Sequence, residues 1–241
     1  MPVTHRINLW SGPRNISTAL MYSFAQRSDT QVFDEPLYAH YLKITALNHP
    51  GRAETLASME NDGQKVIDKV ILGAYDDAVV FFKQMAKHLV ELPVNFLRQT
   101  QNVLLIRDPR EVLASFGKVI ERPDPREVGY ERLFGIWAYL KNQGQSPIVL
   151  DGNEVRKNPE GILTRLCAAL ELDFDPAMLS WEAGARPEDG TWAQYWYRAV
   201  HQSTGFEPYK AKEIELSPYL EAMASEQRAY FDPLYEEAIK A

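Results

Sequence analysis

Four short apolar runs punctuate the chain, at Ile7-Asn8-Leu9-Trp10, Val79-Val80-Phe81-Phe82, Val103-Leu104-Leu105-Ile106 and Pro147-Ile148-Val149-Leu150, each followed by a helix-type pattern. That alternation predicts an α/β fold: a three-layer open sheet, mainly parallel, with helices on both faces. A fifth candidate strand, Gln31-Val32-Phe33-Asp34, runs into Glu35-Pro36. Proline disfavours α geometry at the preceding residue, so Glu35 is expected at a strand's C-terminal end. Ligands of open α/β sheets collect in the crevice beyond those ends. Arg14, Glu35, Lys83 and Arg107 all take such positions.

Between Thr45 and Tyr75 the pattern is polar and helix-leaning, with Gly51 and Gly63 as punctuation, and residues 44–76 are expected to form a lid or substrate insertion. Asn158-Pro159 opens a segment with apolar residues at helical spacing through Leu170, a packing helix. The pentapeptide Asp-Pro-Arg-Glu-Val occurs at 108–112 and again at 124–128. Two helix starts explain both copies: Asp as N-cap, Pro at the first helical position, and Glu completing a capping-box-like arrangement. Residues 185–241 are expected to supply a C-terminal cover and helix.

Composition narrows the function classes. A chain of 241 residues, 45% hydrophobic and 24% charged, shows no break that would divide it, so residues 1–241 are read as one domain. A net charge of −7 argues against a nucleic-acid surface while allowing a local basic pocket, and the expected partner is a small molecule. Cys167 is the single cysteine, which rules out an intrachain disulfide. The start Met1-Pro2-Val3-Thr4-His5-Arg6 lacks a signal-peptide core, and no apolar run approaches membrane-spanning length. The expectation is a cytoplasmic protein that binds neither membrane nor nucleic acid; the sequence does not bear on oligomeric state.

Two strand-to-helix segments could carry chemistry. Ser11-Gly12-Pro13-Arg14-Asn15-Ile16-Ser17-Thr18 follows the first apolar run but lacks the Gly-Lys-Ser/Thr ending of a triphosphate loop. It reads either as a phosphate cradle with its cation at Arg14, or as a Gly12-Pro13 turn with Ser17-Thr18 capping a helix through Arg27. In Arg107-Asp108-Pro109-Arg110-Glu111-Val112-Leu113-Ala114-Ser115, capping accounts for Asp108, Pro109 and Glu111, while Val112, Leu113, Phe116, Val119 and Ile120 form a buried stripe. Arg107 and Ser115 are left over, placed so that both could meet one anion. A surface ion pair and a tolerated helix serine are the plainer alternative. Taken together, the segments would hold the two phosphate ends of one nucleotide, with Arg14, Asn15, Ile16, Ser17 and Thr18 at one end and Arg107 and Ser115 at the other.

At this point the residues resemble a family. Pro13 through Thr18 is similar to the 5′-phosphosulfate loop of sulfotransferases that use 3′-phosphoadenosine 5′-phosphosulfate, PAPS, and Arg107 through Ser115 resembles the family's 3′-phosphate motif. Asp34-Glu35 is similar to the Gly-Glu element of tyrosylprotein and bacterial carbohydrate sulfotransferases, where that Glu is the candidate base. The likeness spans residues 6 to 175. Ile16 stands where the loop usually has glycine, and because a β-branched residue resists positive φ, a different local path is expected there. The family's Arg-Lys-Gly cover loop is absent as such, with Gly190-Thr191-Trp192 only faintly similar to part of it.

The resemblance implies a P-loop-like sulfotransferase architecture and metal-independent transfer of a sulfuryl group from PAPS to a hydroxyl or amine of a small-molecule acceptor, leaving adenosine 3′,5′-bisphosphate. In-line transfer builds negative charge on the bridging oxygen, where Arg14 would stabilise it. Glu35 is the expected general base and Lys83 a third basic group facing the crevice. His88, expected inside a helix, is a candidate acceptor contact together with Trp192 and Trp196; Tyr195 and Tyr197 could join them, or the aromatic group could simply pack. Two alternatives stand beside this reading: a P-loop ATP-dependent phosphotransferase using magnesium, and a noncatalytic nucleotide- or anion-binding protein.

Overall fold

The computed structural model describes residues 4–118, 120 and 122–241. In chain order the first half comprises β1 (His5–Ser11), α1 (Ser17–Phe24), β2 (Thr30–Asp34), α2 (Tyr38–Thr45), α3 (Arg52–Ser58), α4 (Gly63–Val66) and β3 (Val79–Met85). Next come β4 (Gln101–Ile106), α5 (Pro109–Phe116), α6 (Pro125–Val128), α7 (Tyr130–Asn142), β5 (Ile148–Asp151), α8 (Gly152–Lys157) and α9 (Pro159–Ala169). The chain closes with α10 (Ala193–Trp196), α11 (Arg198–His201) and α12 (Pro218–Glu237). All five expected strands form, and they pair in parallel in the order β2-β3-β1-β4-β5. From the central β1 the chain first builds one side of the sheet and then crosses to build the other. The C-terminal ends of β1 and β4 therefore flank a topological switch point, where such sheets open a ligand crevice.

Strand alternation explains the three layers. Ile7, Leu9, Phe81 and Leu105 point to one face and pack against Leu20 and Phe24 of α1 and Leu163 and Leu166 of α9. Trp10, Phe82 and Leu104 point to the other, against Leu113 of α5, Leu133 of α7 and Phe231 of α12. On the first face the Phe24 and Phe81 rings stack with centroids 4.2 Å apart. Both copies of Asp-Pro-Arg-Glu-Val start helices as expected: Asp108 accepts from the Arg110 amide at 2.9 Å and Asp124 from the Arg126 amide at 2.8 Å. Asn158 likewise accepts from the Gly161 amide at 3.0 Å to open α9.

Several boundaries differ from the sequence reading. The helix α1 stops at Phe24 rather than Arg27, whose guanidinium turns to Asp29 at 2.8 Å. At the other motif, α5 ends at Phe116, where the Gly117 amide closes on the Leu113 carbonyl at 2.8 Å. Ile120 consequently leaves the buried stripe and is 39% exposed, while Val119, like Met1–Val3, lies outside the described residues. Glu111 does not reach back to complete a capping box, because its carboxylate is taken by Arg107.

Candidate functional site

A cavity of about 610 Å³ opens at the C-terminal ends of β1, β3 and β4, and residues 12–19 form one wall. The loop after β1 runs tightly against the end of α6: a Cβ on Gly12 would lie 2.5 Å from the Val128 carbonyl oxygen, a contact no other residue could make without displacing backbone. Arg14 takes the left-handed conformation at φ 56°, whereas Ile16 sits at φ −90°. The left-handed turn falls two residues before the position that raised the concern, and Ile16 needs none of glycine's freedom. Asn15 fastens the loop to the sheet, donating from Nδ2 to the Leu105 carbonyl at 3.3 Å and accepting from the Ile16 amide at 2.9 Å.

Ser17 and Thr18 lie inside α1 rather than capping it. Ile16 is the N-cap, no side chain accepts from the first turn, and no acidic residue stands there. The first amides of α1 thus lack a partner from a capping side chain and, with the helix dipole, make an anion site. Arg14 Nε donates to Ser115 Oγ at 3.0 Å, and Arg107 Nη1 donates to the Arg14 carbonyl at 2.8 Å, so the two motifs form one assembly. Arg107 also forks onto Glu111 Oε2 at 2.9 and 2.7 Å, and Glu111 Oε1 accepts from Asn153 Nδ2 at 2.9 Å. The plainer expectation of an ion pair for Arg107 therefore holds, but Ser115 is no bystander. Partial desolvation and then the neighbouring Arg107 charge lower the Arg14 pKa. A bound anion would relieve that crowding.

The opposite wall is built on β2 and β3. Lys83, expected to face the crevice, borders the cavity but is only 2% exposed. Its ammonium donates to Asp34 Oδ1 at 2.9 Å and also meets Glu35 Oε1 and the Tyr197 hydroxyl. Tyr197 donates to both Asp34 oxygens, at 2.9 and 2.8 Å, and accepts from Trp192 Nε1 at 3.1 Å. The Gly190 amide reaches Asp34 Oδ2 at 3.1 Å. Asp34 thus ties the segment around 190–197 to the end of β2. Glu35 is held left-handed at φ 46°, an unusual conformation for a residue with a side chain. Burial pushes its carboxyl up, with the Lys83 charge opposing the shift.

His88 lies in a single 3₁₀ turn after β3 rather than in an α-helix. It is 1% exposed, stacks on Tyr38 with centroids 4.6 Å apart, and places Nδ1 3.7 Å from Glu35 Oε2. Neither ring nitrogen has a hydrogen-bond partner among the described residues, and burial holds its pKa well below the usual imidazole range. Trp192 and Trp196 line the cavity, while Tyr195 does not and is 46% exposed. Tyr197, named from the sequence as a wall or packing aromatic, is the buried partner of Asp34 and Lys83, and three further residues escaped the sequence reading. The pair Lys87–Glu127, 2.6 Å apart, flanks the mouth, and Arg156 of α8 lines the same cavity as Arg107. The strand-end rule applied to β5 would have pointed toward Arg156, five residues past Asp151.

No helix among the described residues is long and apolar enough to cross a membrane. A family model described as "Sulfotransferase domain" matches residues 5–217. Two curated proteins of Arabidopsis thaliana, branched-chain-amino-acid aminotransferase-like proteins 1 and 2, are 45% and 44% identical over 201 residues, 83% of this chain. The chain spans only 36% of the length of each. Among solved structures, the sulfotransferase domain from the curacin biosynthetic pathway aligns with TM-score 0.57 at 16% identity, covering 96% of this chain and 99% of that one. A sulfotransferase from Alicyclobacillus acidocaldarius aligns with TM-score 0.56 at 11% identity over 98% of both chains. A mouse sulfotransferase complexed with PAP gives 0.50 at 14% identity, over 97% of this chain and 84% of its own. At these identities the structures show a shared fold, and the match of the family model along most of the sequence shows the family: the chain belongs to the sulfotransferase domain family.

Proposed function

We propose that this chain moves a sulfuryl group from PAPS to a hydroxyl or amine of a small-molecule acceptor. The observation that carries the reading is the arrangement across one cavity: an uncapped α1 start with Arg14, Arg107 and Ser115 on one wall, and the buried carboxylate of Glu35 on the other. The donor fits these residues by its chemistry. Its 5′-phosphosulfate would lie on the amides of Ser17 and Thr18 with Asn15 and Ile16 shaping the loop, and its 3′-phosphate would meet Arg107 and Ser115.

The acceptor O–H or N–H gives its proton to Glu35 Oε2, the acceptor heavy atom bonds to sulfur, and the bond from sulfur to the bridging phosphate oxygen breaks. Arg14 and the α1 amides stabilise the negative charge gathering on that oxygen. Lys83 holds Glu35 Oε1, which turns the other oxygen to the cavity and opposes the upward shift that burial gives the base. A neutral His88 can exchange a hydrogen bond with the acceptor, and Trp192 and Trp196 supply flat apolar walls. Residues 44–76 contribute Asn48–Pro50 to the mouth as a lid, and residues 185–241 supply the cover.

Release of adenosine 3′,5′-bisphosphate from PAPS across a panel of hydroxyl and amine acceptors tests this. At least one acceptor is expected to support turnover without added metal, with Glu35→Gln losing roughly 10²–10⁴-fold in kcat. Tight binding of the bisphosphate with no turnover on any acceptor would instead make the protein a noncatalytic binder.

A further inference from the structure

One guanidinium on the donor wall has no role in that account. Arg156 projects from α8 into the same cavity as Arg107. Its Nε donates to the Glu207 carbonyl at 2.8 Å and its Nη2 to the Pro208 carbonyl at 3.1 Å, while its own carbonyl accepts from the Tyr209 amide at 3.3 Å. These bonds take one edge of the guanidinium and leave Nη1 without a protein acceptor among the described residues. The strap they hold, 203–209, also lines the cavity through Ser203, Gly205 and Phe206. Its far end is fixed by an antiparallel bridge between Ser180 and Gly205. At its near end Tyr209 donates to Glu111 Oε1 at 3.1 Å, and Glu111 orients Arg107 through its other oxygen. One carboxylate therefore joins the strap, and through it Arg156, to Arg107.

We propose that Arg156 is a second guanidinium ligand for the phosphomonoester at the 3′ end of the nucleotide, and that it latches the strap 203–209 over the bound donor. The assignment rests on the PAPS reading and deepens it, because it supplies from α8 the cationic cover that the sequence lacks as an Arg-Lys-Gly loop. Two guanidiniums facing one cavity wall repel each other until an anion lies between them, and Arg156 is crowded in this way: burial and then Arg107 lower its pKa. The planar fork suits the double duty. One edge can grip two carbonyls while the remaining N–H groups grip a phosphate oxygen, which an ammonium cannot reproduce.

Calorimetry with adenosine 3′,5′-bisphosphate and with 5′-AMP on wild type, Arg156→Gln and Arg156→Lys tests the assignment, alongside hydrogen exchange of residues 203–209 with and without bisphosphate. Arg156→Gln is expected to weaken the bisphosphate roughly 10- to 100-fold and 5′-AMP less than about threefold. Bound bisphosphate is expected to slow strap exchange in wild type but not in Arg156→Lys, which keeps the charge and gives up the fork. Equal losses for both nucleotides would make Arg156 a purely structural brace, and an unchanged bisphosphate affinity would remove it from the site; either result overturns the proposal. A wild type that itself fails to prefer the bisphosphate overturns the PAPS reading, and this assignment with it, in a separate arm of the experiment.

Discussion

Glu35 is where local strain, burial and charge meet. It is a carboxylate in a left-handed turn, desolvated and pinned at one oxygen by Lys83, and in the proposed reaction the other oxygen takes the acceptor's proton. Because burial raises its pKa, kcat is expected to climb with pH through that raised value, since the protonated acid cannot act as base. The same shift has the opposite sign for stability. An acid whose folded pKa lies above its unfolded one contributes stability at low pH that is lost as pH rises toward the folded pKa. Asp151 offers the cleaner stability test, because burial pushes its carboxyl up to about 6 while its Oδ1 accepts the Asn153 and Glu154 amides that start α8. Asp151→Asn keeps those acceptors and removes the buried charge. Denaturant titrations are expected to show little change at pH 3, below the unfolded pKa, and a gain of roughly 1–3 kcal/mol at pH 8. A second test concerns Lys83, since Lys83→Met strands Asp34 and Glu35 together in the interior. A destabilisation of about 3–5 kcal/mol is expected from the same titration.

The elements show how far patterning reaches. All five strands and both Asp-Pro-Arg-Glu-Val helix starts were legible, because buried parallel strands and capped helices are encoded by residues close together in the sequence. The site was legible in its parts, since strand-end residues are placed by the same local pattern. Their mutual use was not. Nothing near Glu111 announces that Asn153 and Tyr209 will join Arg107 on its carboxylate, and nothing near Lys83 announces Tyr197, 114 residues away. Such partners are chosen by tertiary packing, which also decided that Ile16 caps α1 with negative φ. For this reason Ile16→Gly is expected to leave bisphosphate affinity within about threefold and to cost roughly 1 kcal/mol or more in lost packing and added chain entropy. Gly12→Ala should be far more damaging, because its Cβ meets the Val128 carbonyl oxygen; calorimetry is expected to show loss of nucleotide binding.

On the scale of the whole molecule, an acidic chain of net charge −7 builds a cationic wall at the switch point between β1 and β4. Sheet topology places that wall, because only there do the loops after β1 and β4 diverge to leave a crevice. The central claim is that this wall recognises a nucleotide by its 3′-phosphate. Titration calorimetry of adenosine 3′,5′-bisphosphate, 5′-AMP and ATP against wild type and Arg107→Ala tests it most directly. The account predicts that wild type prefers the bisphosphate by at least about tenfold, and that Arg107→Ala erases the preference while retaining weak binding of 5′-AMP. Equal affinity of wild type for all three nucleotides, or a preference that survives Arg107→Ala, would contradict it.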